Sequence, residues 1–238
     1  MFGRIISVVF LFTRFFAAIS TQFGRIFAIR FDKSRIDTIS EIIKFIHTRS
    51  AYVAQTSLYG YLKTRMGTRY RVIFEDDAFQ EPLNTAKWRT YSACLADLTV
   101  FTVGTVAARS DLSSDELIQL AGHCFATSIE ATFDDCTMPE LAGMSIERFS
   151  QRIGLLDWRH ASEGENAFTY SPLELIDAAP VIDEFKTQDS EIVSNSIRFR
   201  WRDVREQLRK RIDASAICTD WRARGHTAES TQEGDSSV

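Results

Sequence analysis

The sequence predicts an all-α, single-domain helical bundle with an amphipathic N-terminal helix. Three observations lead there. Apolar residues recur at three- and four-residue spacings along most of the 238 residues, the spacing of helices that each bury one face. Only 4 Pro and 11 Gly are present, few for a β-rich fold with many turns. Two capping boxes, Thr38-Ile39-Ser40-Glu41 and Ser113-Ser114-Asp115-Glu116, head apolar-periodic runs. The predicted division is residues 1–35 as a basic, apolar helix and linker, 36–222 as the helical domain and 223–238 as a disordered acidic tail. One domain of this size buries a full core.

Charge is unevenly placed. Residues 1–30 hold Arg4, Arg14, Arg25 and Arg30 and no acid, while the whole chain carries −4. A basic, apolar head on an acidic body points to a membrane surface for the head and away from nucleic acid for the body. Positions 4, 7, 11, 14, 18, 21 and 25 form one helical row reading Arg, Ser, Leu, Arg, Ala, Thr, Arg. Its flanks carry large apolar residues, Phe12, Phe15 and Phe16 among them. A narrow cationic stripe on a wide apolar helix suits the interface of a bilayer, with Arg4, Arg14 and Arg25 toward phosphates. Competing readings are a spanning helix, a secretory signal, an Arg-rich targeting peptide, a mis-chosen start, and a helix packed on its own domain. Arg14 interrupts any span after the uncharged run Ile5–Thr13, and Ala17-Ala18-Ile19-Ser20 is a poor cleavage site.

Beyond Asp37 the elements follow in order. Thr38 caps a helix to about Met66, which Gly67 ends; Gly60 offers close packing. TRYRVIFE, Thr68 to Glu75, alternates like a strand, but a lone strand has no partner, so an extended connector or short helix is expected. A helix from about Leu83 to Ala108 is the most apolar, with Asp97 its single charge between Thr90 and Ala108, and Pro82 stands at its start. Its β-branched end, LTVFTVGTV, also fits a buried strand. Ser113 caps the next helix, closed by Asp134-Asp135 and Pro139, and a further helix covers about Ser145 to Trp158. His160–Tyr170 is polar and reads as a loop. Ser171-Pro172-Leu173-Glu174 signals another helix start. In SIRFRWRDVREQLRKRI, Ser196 to Ile212, alternation lasts six residues. The helical row Val193, Ile197, Trp201, Val204, Leu208, Ile212 lasts twenty, so one helix from about Ser190 to Trp221 is expected, with Phe199 off the row. Cys94, Cys124, Cys136 and Cys218 form no CxxC pair and read as reduced thiols.

Chemistry-bearing residues are few. Arg198, Arg202, Arg205 and Arg209 share one row, within about 60° on a helix. They suit an acidic protein or lipid headgroup, or internal pairing with Glu75-Asp76-Asp77, Asp134-Asp135 or Asp183-Glu184. Asp97, in an apolar segment, is a general acid or base or a structural ion-pair partner. His123 is the other catalytic candidate, although it and Cys124 project about 100° apart. No HExxH, GxSxG, GxGxxG or phosphate-cradling loop occurs, and no metal or cofactor is expected. The Tyr- and Arg-containing segment Ala51–Arg71 fits single-stranded nucleic acid in pattern, yet reads better as a core helix with a basic C-terminal end.

Two stretches carry a resemblance. AYVAQTSLYGYLKTRMGTRY with KWRTYSACLADLTVF, and PVIDEFKTQDSEIVSNSIRFRWRDVREQLRKRID, resemble an uncharacterised bacterial family of helical proteins whose members are sometimes labelled esterase. The resemblance covers helices flanking a less familiar middle and carries no catalytic residues over. The expected function is a membrane-associated helical interaction or scaffold protein, bacterial, cytoplasmic and peripheral at the inner membrane. The alternative is an esterase-like hydrolase on an unfamiliar helical scaffold.

Overall fold

The computed structural model describes residues 34–132 and 139–225. The chain divides into two units, residues 1–34 and 35–238, and all described residues except Ser34 belong to the second. That unit is all-α. Its helices are α1 (Ile39–Met66), α2 (Tyr70–Phe74), α3 (Asp77–Ala107), α4 (Ser114–Glu130), α5 (Pro139–Ile153), α6 (Tyr170–Ala178), α7 (Asp183–Arg211) and α8 (Ala214–Ala223). The only β-type pairing among the described residues is an isolated parallel bridge between Ile36 and Ile212.

Packing follows from hydrophobicity. From Thr90 to Val106 α3 is buried almost all round and carries one charge, Asp97, so that part must be enclosed, and α1, α4, α5, α6 and α8 all pack on the helix. By length and composition it would cross a bilayer, yet 89% of its most apolar window is buried within the protein. α1 and α3 form a hairpin through a 3₁₀ turn (Gly67–Arg69) and α2, so the connector in TRYRVIFE is helical. Thr38 accepts the Glu41 amide, while the Glu41 carboxylate reaches one residue further back, to the Asp37 amide. The Ser113–Glu116 capping box closes in both directions. Gly67 ends α1 with a φ of 56°, a conformation that glycine adopts without steric cost.

Several boundaries differ from expectation. α3 begins at Asp77, capped by Asp76, so Pro82 lies within the helix and not at its first turn. The segment LTVFTVGTV is helical to Ala107. Pro139 opens α5 and does not close α4, and α5 stops at Ile153, leaving Trp158 buried among turns. The loop after α5 is no solvated excursion: Ala161, Ala167 and Phe168 are buried, and turns at Glu163, Asn166 and Phe168 stitch it together. The close approach expected at Gly60 occurs at Gly104 instead. A Cβ on Gly104 would stand 3.0 Å from both the Ala161 Cβ and the Ser162 nitrogen, whereas one on Gly60 would meet only an Arg200 side-chain end at 4.0 Å. Gly104→Ala is therefore expected to cost about 1–3 kcal/mol by overpacking, and Gly60→Ala to be neutral or slightly stabilising, as read from chemical denaturation.

The long C-terminal helix is two helices. α7 stops at Arg211, Ile212 is extended, and Asp213 caps α8 through the Ala216 amide. The break is made from outside the helix. Ile36 lies alongside it, donating to the Arg211 carbonyl at 3.0 Å and accepting the Asp213 amide at 2.9 Å, while Arg35 pairs with Asp213. Arg35 therefore belongs to the helical body, and α8 carries that body to Ala223. Residues 226–238, the main part of the expected disordered tail, lie outside the described residues.

Candidate functional site

Asp97 is the most constrained polar residue of the bundle. It sits midway along α3 with 0% exposure. A bare carboxylate there would be costly, and two parts of the chain, α5 and the start of α6, converge to satisfy it. Arg152 of α5 donates to Oδ1 at 2.8 Å. The amides of Tyr170 and Ser171, at the start of α6, donate at 3.2 and 2.7 Å. The Ser171 Oγ in turn accepts the Trp201 indole N–H of α7 at 3.0 Å. Arg152 also donates to the Ala167 carbonyl at 2.8 Å and lies 4.0 Å from the Tyr170 ring centroid. Burial raises the Asp97 carboxyl above its ordinary value, opposed only in part by Arg152 and Ser171. Its surroundings consist of donors, the environment of a carboxylate that receives hydrogen bonds.

This corrects the expected start of α6. Ser171 lies inside the helix, and Thr169 at the N-cap makes no side-chain cap bond. Asp97 supplies the acceptor for the free amides from a different helix. A negative charge is also favoured there by the helix macrodipole. Arg152 was not singled out from the sequence, although it left a signal: it interrupts the apolar row Ile146, Phe149, Ile153 of α5. A lone acid in one apolar stripe and a lone base in another are a candidate pair.

Asp97 and His123 occupy different surroundings. The His123 ring is half-buried on α4 and lies 5.8 Å from the Trp221 ring of α8. Neighbouring Cys124 is buried, and burial pushes its thiol up to about 12. Cys94 is raised as well, by burial first and by Asp97 second. Cys94, Cys124 and Cys218 are all buried free cysteines; Cys136 lies outside the described residues. Thiols raised in this way stay protonated at neutral pH and are poor nucleophiles.

The arginine row finds partners other than the acids expected. Arg205 donates to the Gly164 carbonyl at 2.6 Å. Arg205 and Arg198 lie 3.9 and 3.7 Å from Glu165 of the same loop. Arg209 lies 5.4 Å from the Phe101 ring centroid, and Arg202 stacks on exposed Phe199 at 4.5 Å. Half of the row therefore fastens the α5–α6 loop to α7, while Arg198 and Arg202 keep much of their surface in solvent. In the Tyr- and Arg-containing segment, Arg65 pairs with Asp189, and Lys63 and Arg71 lie over Tyr70.

An open depression of about 590 Å³ lies between the end of α3 and α8, lined by Arg109, Ser110, Asp111, Cys218, Thr219 and Arg222 among others. Arg222 is engaged there with Asp111 at 3.2 Å and Glu116 at 3.4 Å. Burial raises the Cys218 thiol. Among the described residues no group of three or more His, Cys, Asp or Glu side chains is placed to hold a metal ion. The proposed membrane contacts Arg4, Phe12, Arg14, Phe15, Phe16 and Arg25 lie outside the described residues. No family model matches the chain, and neither does any curated protein or solved structure.

Proposed function

We propose that this chain is a membrane-associated helical interaction protein, peripheral at the cytoplasmic face of a bacterial inner membrane. The observation that carries the reading is the cationic row at positions 4, 14 and 25 within a segment rich in Phe and free of acid. Such a segment gains from apolar burial at a lipid interface and from phosphate attraction together. The body supports the same reading. Its most apolar helix is consumed by its own core, and the carboxylate best suited to acid–base chemistry is enclosed by structural donors. The hydrolase alternative lacks an equivalent constellation around Asp97 or His123.

Vesicle flotation tests the reading on the full chain. The protein is expected to float with vesicles containing anionic lipid and to be released as salt is raised. Each basic residue near such a surface contributes about 1 kcal/mol, so Arg14→Glu/Arg25→Glu is expected to weaken partitioning by about thirtyfold or more. A fragment lacking residues 1–35 is expected to stay with the soluble fraction. Equal flotation of all three proteins would overturn the proposal.

A further inference from the structure

We propose that α7 is a self-association face, through which two copies of this chain pair antiparallel. The inference is independent of membrane binding and begins with what α7 leaves in solvent. Its inner row, Val193, Ile197, Trp201, Val204 and Leu208, is buried. On the opposite side Ile192 is 70% exposed and Phe199 59% exposed. Seven residues apart, they project within about 20° of each other, with only Asn195 and Ser196 between them on that face. Exposed apolar residues two turns apart on a helix of 29 residues have the spacing of one of the two apolar positions in a helix-pair seam.

Charge identifies the occupant. The first part of α7 carries Asp183, Glu184, Asp189 and Glu191 against Lys186, and the part from Arg198 onward carries seven basic residues against Asp203 and Glu206. A parallel pair would place like charges together, whereas an antiparallel pair places the acidic half of each copy beside the basic half of the other. A two-fold axis near Asn195 and Ser196 brings Ile192 of one copy onto Phe199 of the second. Glu191, Arg198 and Arg202 lie on one flank, within about 40° of each other. A two-fold axis keeps that flank on the same side in both copies. Glu191 of one copy then comes alongside Arg198 and Arg202 of the other, whose side chains are 44% and 57% exposed. Acid first and base last also complements the helix macrodipole. That explanation leaves Ile192 in water and Phe199 covered only on one face, by Arg202.

Sedimentation equilibrium of the full chain in detergent-free, lipid-free buffer reads the mass directly. The wild type is expected at twice 27.1 kDa, and Ile192→Glu/Phe199→Glu with a dissociation constant raised about tenfold or more. Both positions face solvent, so a circular-dichroism spectrum equal to the wild type's is expected; Phe199→Ser serves as a milder second variant. Glu191→Arg and Arg202→Glu are each expected to weaken the dimer, and the two together in one chain to restore it. A wild-type monomer at high protein concentration would overturn the proposal. So would an oligomer that survives the double glutamate variant, or a charge swap that fails to restore pairing.

Discussion

Asp97→Ala is expected to destabilise the folded protein by about 3–5 kcal/mol, because it strands a buried guanidinium. Arg152 keeps the Ala167 carbonyl and the Tyr170 ring but loses its only anionic partner among the described contacts, with 6% of its side chain exposed to make up the loss. For a domain of this size each kcal/mol moves Tm by about 2–4 °C, so a fall of roughly 6–20 °C is expected in a thermal melt. Arg152→Ala is expected to cost about as much, leaving a carboxylate with two amides where it had a cation as well. Replacing both partners, as Asp97→Leu/Arg152→Met, removes both charges and retains volume. It is expected to cost less than either single change. Some penalty of about 0.5–2 kcal/mol remains, since the amides of Tyr170 and Ser171 lose their acceptor. Additive losses in the double variant would show that the two side chains act separately.

Trp201→Ala is expected to cost about 3–5 kcal/mol, the range for emptying a large aromatic site in a close-packed core. Trp201 has no exposed surface. Its ring packs on Phe168 with centroids 4.9 Å apart, and Phe168 packs on Phe101 at 5.3 Å. The stack therefore runs from α7 through the α5–α6 loop into α3. Its indole N–H also holds the Ser171 hydroxyl, so truncation leaves that oxygen short of a donor. Trp201→Phe keeps most of the volume and loses the hydrogen bond, and should cost about 1–2 kcal/mol. Urea denaturation separates the two. If alanine and phenylalanine are equally disruptive, the hydrogen bond dominates; if phenylalanine is silent, packing does.

Helices were legible because burial on one side imposes a period of 3.6 residues; LTVFTVGTV, buried on every side, lacks that one-sided period and so also fitted a strand. The Thr38 and Ser113 caps were legible because capping is a local matter of side chain and amide. Features made by distant residues were not. The break comes at Ile212, the last residue of the row that starts at Val193, and its cause, Ile36, lies far away in sequence. Asp213 was the local trace, a capping residue in mid-pattern. The α5–α6 loop reads as polar from His160 to Tyr170, yet Phe168 enters the core, where its ring packs against Trp201 of α7 and Phe101 of α3. The exposure of Phe199 was foreshadowed by its departure from the inner row. At the Asp97 centre the acid was legible from its apolar neighbours. That it would serve as the missing cap of α6 was not, since Ser171 and Pro172 already supplied a local start signal.

Amide hydrogen exchange at Tyr170 and Ser171 tests most directly whether Asp97 is an architectural group. First-turn amides of a nine-residue helix ordinarily lack partners and exchange quickly. Bound to the Asp97 carboxylate, these two are expected to exchange only when α3 itself opens, with protection matching the core amides of Leu95 to Val106. In Asp97→Leu/Arg152→Met that protection should vanish at the two sites while α3 stays protected. Fast exchange at Tyr170 and Ser171 in the wild type would contradict the account and return Asp97 to the list of groups free for chemistry.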